Sequence, residues 1–163
     1  MRMPVLTLLV AFGAGLTGTS AAGQAAGPGP NPNATPAYGT IDSSAFFSGE
    51  HRSFRVTEGG TYDAAALGGD CSGFIAGVPD LRITHTANGS PLIISVRDSS
   101  DTMLVVWGPD GRWTCDNDSG VDGLNPSIRW SSPRSGAYNI WVGQARRGHG
   151  NGAHIYVSQT ASQ

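Results

Sequence analysis

The chain has 163 residues, with ten Arg and no Lys against ten Asp and two Glu, for a formal net charge of −2. A chain without Lys has no Schiff-base or P-loop lysine, and a balance this close to neutral provides no basic field for a nucleic-acid backbone. The length fits one domain on a prior of roughly 150 residues per domain, and 24 Gly and 10 Pro with scarce Glu favour turns and strands over helices.

In chain order, Met1–Ala22 comes first. It places Arg2 ahead of an apolar stretch from Leu6 to Leu16 and ends on small residues at Ser20 and Ala22. That is the three-part layout of a secretory signal peptide, and its apolar stretch falls short of the about 20 residues a spanning helix needs. Cleavage would remove Arg2 and leave nine Arg against twelve acids, a net charge of −3. The mature protein is expected to be exported, to the periplasm or beyond the cell, with no membrane span. Residues 23–38 (GQAAGPGPNPNATPAY) carry no charge and no apolar period, and they read as a flexible tether. One domain is expected over 39–163.

Within that domain the side chains repeat with period 2. Leu81–His85, Leu92–Arg97, Ile128–Trp130, Tyr138–Val142 and His154–Val157 alternate, and Met103–Trp107 is continuously apolar, as a strand covered on both faces would be. Ser53–Val56 and Ser72–Ala76 are weaker strand candidates. Gly59-Gly60, Gly68-Gly69, Asn88-Gly89, Pro109-Asp110-Gly111, Pro133–Gly136 and Gly148–Gly152 punctuate these runs. The predicted fold is all-β, an antiparallel β-sandwich or jelly roll of about eight strands. Cys71 and Cys115 are the only cysteines. In an exported chain they are most simply one disulfide, which in the chain-entropy model stabilises by about 4 kcal/mol.

The stretch from Asp101 through Pro109-Asp110-Gly111 to Asp116-Asn117-Asp118, followed by Asn125-Pro126-Ser127-Ile128 and by Pro133–Gly143 with its Ser135-Gly136-Ala137-Tyr138 strand opening, resembles the bacterial pre-peptidase C-terminal domain family. The resemblance runs from about Leu92 to Val157. It implies a β-sandwich of the kind appended to secreted bacterial peptidases, without catalysis of its own. No peptidase domain precedes it here, so a separately encoded peptidase becomes a candidate partner. Tyr138 is expected to bury its ring and hold a backbone carbonyl with its hydroxyl, as a tyrosine corner does.

Three groups of residues are candidates for chemistry. Asp98, Asp101, Asp110, Asp116, Asp118 and Asp122 lie within 25 residues of one another, with Arg112 the one cation among them. Ca²⁺ takes six to eight oxygen ligands, commonly from a loop. A structural calcium would take Asp101, Asp116 and Asp118 first, then Asp98, Asp122 and Asn125; the alternative is a set of solvated turn aspartates. The run is no EF-hand, since it lacks the closing Glu and its Gly is displaced. Trp107, Trp113, Trp130 and Trp141 form the second group. If Tyr138, Ile140 and Val142 face the core, Trp141 faces the other way. Trp141 and Trp113 are therefore candidate stacking surfaces for a glycan or a protein, unless they seal the sandwich. The third group offers little: Asp118-Ser119-Gly120 has a nucleophile's residues without partners in reach, and His149 and His154 beside Arg146-Arg147 read as a hairpin tip.

The sequence thus points to an exported, non-catalytic binding or accessory domain stabilised by calcium, with an unidentified protein or glycan partner. A carbohydrate-binding module using surface Trp residues is the alternative.

Overall fold

The computed structural model describes residues 29–45 and 51–163. The expected leader, residues 1–22, and the start of the tether, residues 23–28, lie outside the described residues. The elements in order are β1 (Thr40–Asp42), a 3₁₀ turn (Ser43–Ala45), β2 (Arg52–Val56), β3 (Gly59–Gly60), β4 (Tyr62–Asp63), a second 3₁₀ turn (Ala64–Leu67) and β5 (Phe74–Ile75). They continue with β6 (Leu81–His85), β7 (Leu92–Arg97), β8 (Thr102–Trp107), β9 (Trp113–Asp116), β10 (Ser127–Trp130), β11 (Gly136–Gln144), β12 (Gly148–His149) and β13 (Ala153–Ser158).

The all-β expectation holds, and eight of these strands have four or more residues. One sheet runs β1-β6-β11-β8-β9, with β5 and β4 joined to the far end of β11. The other is β10-β7-β13-β2, and β12 pairs with β3 in a small ribbon. Every pairing is antiparallel except β1 with β6. The strands alternate as the sequence does. Ile83 pairs with Tyr138, Ile140 with Val106, and Val142 with Leu104 on the first sheet; Ile94 pairs with Ile128 and Val157, and Val96 with Ile155, on the second. These side chains meet between the sheets as one buried cluster. Tyr138 does form the expected corner, its ring 2 % exposed and its hydroxyl donating to the Arg134 carbonyl at 3.0 Å. The Pro109-Asp110-Gly111 turn closes β8 onto β9, with Gly111 at φ +71° and Gly108 N–H donating to Arg112 O.

A second apolar layer lies on the outer face of the first sheet. Trp141, Val105 and Cys115 are cross-strand neighbours on that face, and Ala64, Ile75 and Cys71 from the 61–78 segment pack on them. Cys71–Cys115 is bonded across 44 residues and pins this cover to β9. A made disulfide is the chemistry of an oxidising compartment. Among the described residues no helix is long and apolar enough to cross a membrane.

Part of the tether behaves differently from its composition. Residues 31–38 lie along the domain: Asn31 N–H donates to Gly77 O, Ala37 N–H to Pro79 O and Tyr38 N–H to Asp80 O. The Arg82 guanidinium donates to Pro32 O and Ala34 O, both at 2.9 Å, and to the Asn139 side chain. A Pro/Asn-rich segment has no side-chain period to reveal this, because its backbone N–H and carbonyl groups make the attachment.

Candidate functional site

The loop between β9 and β10, residues 117–126, is built by its own acids. Asp116, the last residue of β9, accepts from Ser119 N–H at 3.0 Å, from the Ser119 hydroxyl at 2.6 Å, and from Ser127 N–H at 2.8 Å. One carboxylate thereby ties the loop's first turn to the start of β10. Asp122 accepts from Leu124 N–H and Asn125 N–H, both at 3.1 Å, and from Asn125 Nδ2 at 3.0 Å. Asn125, 2 % exposed, anchors the loop from beneath. Its Oδ1 accepts from the buried Thr102 hydroxyl at 2.7 Å and its Nδ2 donates to the Asp98 carbonyl at 3.0 Å. Gly120 N–H closes the inner turn on Asn125 O, and any side chain at Gly120 would collide with that same oxygen. The hydrogen bonds from Asn125 and Leu124 hold the Asp122 carboxyl below the usual carboxylate range.

Two aliphatic side chains stand on this capped loop in solvent, Val121 at 74 % and Leu124 at 57 % exposure. Exposed Asp118 and Asp122 flank them, and residues 117–126 contain no cation. Five N–H groups of the loop, those of Ser119, Gly120, Gly123, Leu124 and Asn125, are bonded to the loop's own carbonyls and to the Asp116 and Asp122 carboxylates, which braces its backbone. The loop presents an apolar tip with an acidic rim.

Of the six proposed calcium ligands, the loop brings Asp98, Asp122 and Asn125 together through Asn125 Nδ2. Asp116, Asp122 and Asn125 spend their oxygens on loop hydrogen bonds, Asp98 accepts from Ser99 N–H and its hydroxyl, and Asp118 accepts from Asn117 Nδ2. Asp101 is exposed beside them. Among the described residues no three of His, Cys, Asp and Glu are grouped to hold a metal ion.

The stacking-surface expectation for Trp141 is corrected. The ring points away from the sandwich core, as the alternation requires, but it is 0 % exposed beneath the 61–78 cover. Trp113 is half-buried, its ring 5.3 Å from that of Trp141 and 4.9 Å from that of Trp107. This row of three seals the outer layer. The Ser119 hydroxyl is spent on Asp116. His85 is 1 % exposed with Nδ1 3.0 Å from the Ser43 hydroxyl, and burial lowers its pKa. His149 and His154 are exposed.

Sequence reasoning missed a pair of buried acids. Glu58 is 1 % and Asp80 3 % exposed. Glu58 Oε2 accepts from Gly152 N–H at 2.9 Å and Asp80 Oδ2 from Val142 N–H at 2.7 Å. Burial pushes the Asp80 carboxyl up to about 7, against the pull of the Val142 hydrogen bond and with help from the charge of Glu58. Lone acids beside Gly-Gly and Pro turns give no sequence signal of burial.

No family model matches the chain, and no curated protein matches it. Among solved structures, the crystal structure of PliG from Aeromonas hydrophila, a periplasmic lysozyme inhibitor of g-type lysozyme, is similar over 73 % of this chain and 94 % of that chain, at 18 % identity and a TM-score of 0.43.

Proposed function

We propose that this chain is an exported, non-catalytic recognition domain that engages a protein partner through the 117–126 loop. The observation that carries the reading is the exposed Val121–Leu124 pair on a backbone fixed by Asp116, Asp122 and Asn125. Preorganisation lowers the ordering cost of binding, and an apolar centre with a polar rim is the anatomy of a protein contact. The acidic rim favours a partner with Lys or Arg around an apolar cleft, because complementary charge raises the association rate and rejects wrong partners. Export is supported by the leader-like N-terminus and the made disulfide. The resemblance to pre-peptidase C-terminal domains belongs with this reading, with a secreted peptidase as one partner to look for.

The test is site-specific photocrosslinking in the native host, with a benzophenone side chain placed at Val121, at Leu124 and at the exposed Thr86. A discrete crosslinked protein is expected at the first two positions and not at Thr86. Once identified, that protein should bind the purified chain and bind Val121→Asp about tenfold or more weakly, at an unchanged Tm. No adduct at either loop position, or equal binding by Val121→Asp, refutes the assignment.

A further inference from the structure

A small cavity opens at the other end of β10 from this loop. It has a volume of about 160 Å³ and is lined by Pro109, Asp110, Trp130, Ser132, Arg134 and Tyr138. The β8–β9 hairpin turn and the β10–β11 connection, which crosses from one sheet to the other, make its walls, and each is fixed from within. On one side the 108–112 turn is closed by Gly108 N–H to Arg112 O at 3.0 Å, Gly111 N–H to Gly108 O at 3.1 Å and Arg112 N–H to Asp110 Oδ1 at 3.3 Å. On the other, the Tyr138 hydroxyl holds the Arg134 carbonyl, and the Tyr138 ring stands edge-on to Trp130 with centroids 5.1 Å apart. The two walls meet where Pro109 lies against Gly136, so closely that a Cβ at Gly136 would sit 2.6 Å from Pro109 Cβ. The spacing of the two walls is therefore set by the fold, and the exposed side chains of Asp110, Ser132 and Arg134 form the rim.

Its chemistry is specific. The volume is well below the several hundred Å³ of sites for drug-sized ligands, so the occupant is a single small ring. Trp130, half-buried, supplies an aromatic surface that favours the C–H edge of a saturated ring. Asp110 contributes acceptors, Arg134 five donors and Ser132 a hydroxyl that does either. One anion and one cation leave the lining without net charge, which disfavours a free phosphate or a simple cation and favours a neutral ligand bearing both donors and acceptors. We infer that this cavity is a subsite for one neutral pyranose ring, stacked on Trp130 and held through its hydroxyls by Asp110, Ser132 and Arg134. The residue is neither Trp141 nor Trp113, both of which belong to the sealed outer layer. The cavity and the 117–126 loop lie at opposite ends of β10, so a glycan here leaves the loop open to a protein.

The experiment is an amide NMR titration of the mature chain with glucose, galactose and N-acetylglucosamine, each to tens of millimolar, with phenylalanine and glucuronate as the zwitterionic and anionic probes. At least one neutral sugar is expected to shift residues 109–112 and 130–136, saturably and with a dissociation constant on the order of millimolar. Those shifts should disappear in Asp110→Ala and in Trp130→Leu, while Val121→Asp leaves them unchanged. Because Trp130 also packs on the core and Asp110 accepts from Arg112 N–H in the turn, an unchanged Tm of Asp110→Ala, at an exposed side chain, separates loss of the subsite from loss of fold. Absence of shifts with every neutral sugar overturns the inference, as do shifts with phenylalanine or glucuronate alone, or sugar shifts that survive Asp110→Ala.

Discussion

Replacing Asp80 by Asn tests whether the buried acid pair shapes the stability of the fold. Asp80 is 3 % exposed, and burial lifts its carboxyl from the ordinary 3.8 to about 7. In the unfolded chain it titrates near 3.9, so between about pH 4 and pH 7 the folded protein holds a proton that the unfolded chain has released. Stability from this group is complete below pH 4, falls as pH rises through 7, and is gone above it. A shift of about three units at about 1.4 kcal/mol each puts the loss at about 4 kcal/mol, a large share of the 5–15 kcal/mol typical of a domain. Asn keeps an oxygen to accept from Val142 N–H and carries no charge to bury. Guanidinium melts from pH 4 to pH 8 should therefore show Asp80→Asn gaining on the parent by up to about 4 kcal/mol at pH 8, with the gain shrinking steadily toward pH 4. His85, whose lowered pKa takes stability away as pH falls below about 6.5, is common to both proteins and cancels in the difference. Glu58→Gln removes the neighbouring charge and should move the window to lower pH. A difference that is flat in pH, or a variant less stable than the parent at pH 8, refutes the reasoning.

Two further outcomes follow from the covers and caps. Cys71→Ser with Cys115→Ser releases the 61–78 segment from β9: a loss of about 4 kcal/mol is expected for a 44-residue separation, with a red shift of tryptophan emission as Trp141 meets water; an unchanged emission maximum would show that packing alone holds the cover. Because Asp116 and Asp122 already have N–H donors for their oxygens, the Tm is expected to be the same in EGTA and in millimolar calcium, and Asp116→Ala to cost roughly 2–3 kcal/mol in either. A rise with calcium that vanishes in Asp116→Asn would instead assign the ion to this loop.

The main sandwich was legible because its strands are long enough to show their period. Leu81–His85, Leu92–Arg97 and Tyr138–Val142 each place three side chains on one face, and the continuous Met103–Trp107 run marks the strand covered on both. The same period located Trp141 on the outer face but could not say what lies over that face. The cover is made of two-residue strands at Tyr62–Asp63 and Phe74–Ile75 and an Ala-rich 3₁₀ turn, all too short for any period. The observed register puts Cys115 beside Val105 and Trp141, and it is this pairing that makes the Cys71 disulfide carry its own segment across that indole. The acids were ambiguous for a different reason. A carboxylate two or three residues ahead of a free N–H serves a turn as readily as it serves an ion, and the bonds from Ser119 and Ser127 to Asp116 become visible only in the folded chain.

The placement of both proposed contacts follows from one short strand. β10 begins at Ser127, whose N–H is held by Asp116 at the foot of the 117–126 loop, and ends at Trp130, the wall of the cavity. Three residue steps separate them, about 10 Å of extended chain. Across that distance Ile128 is locked between the sheets and β10 is paired along its length to β7, with Trp130 opposite Leu92 and Ser127 opposite Ser95. A strand held this way has one arrangement, and coupling between sites requires an element with two. The loop and the cavity are therefore expected to act independently, with additive free energies. That is the behaviour of a rigid bridge between a protein and a glycan surface rather than of a switch.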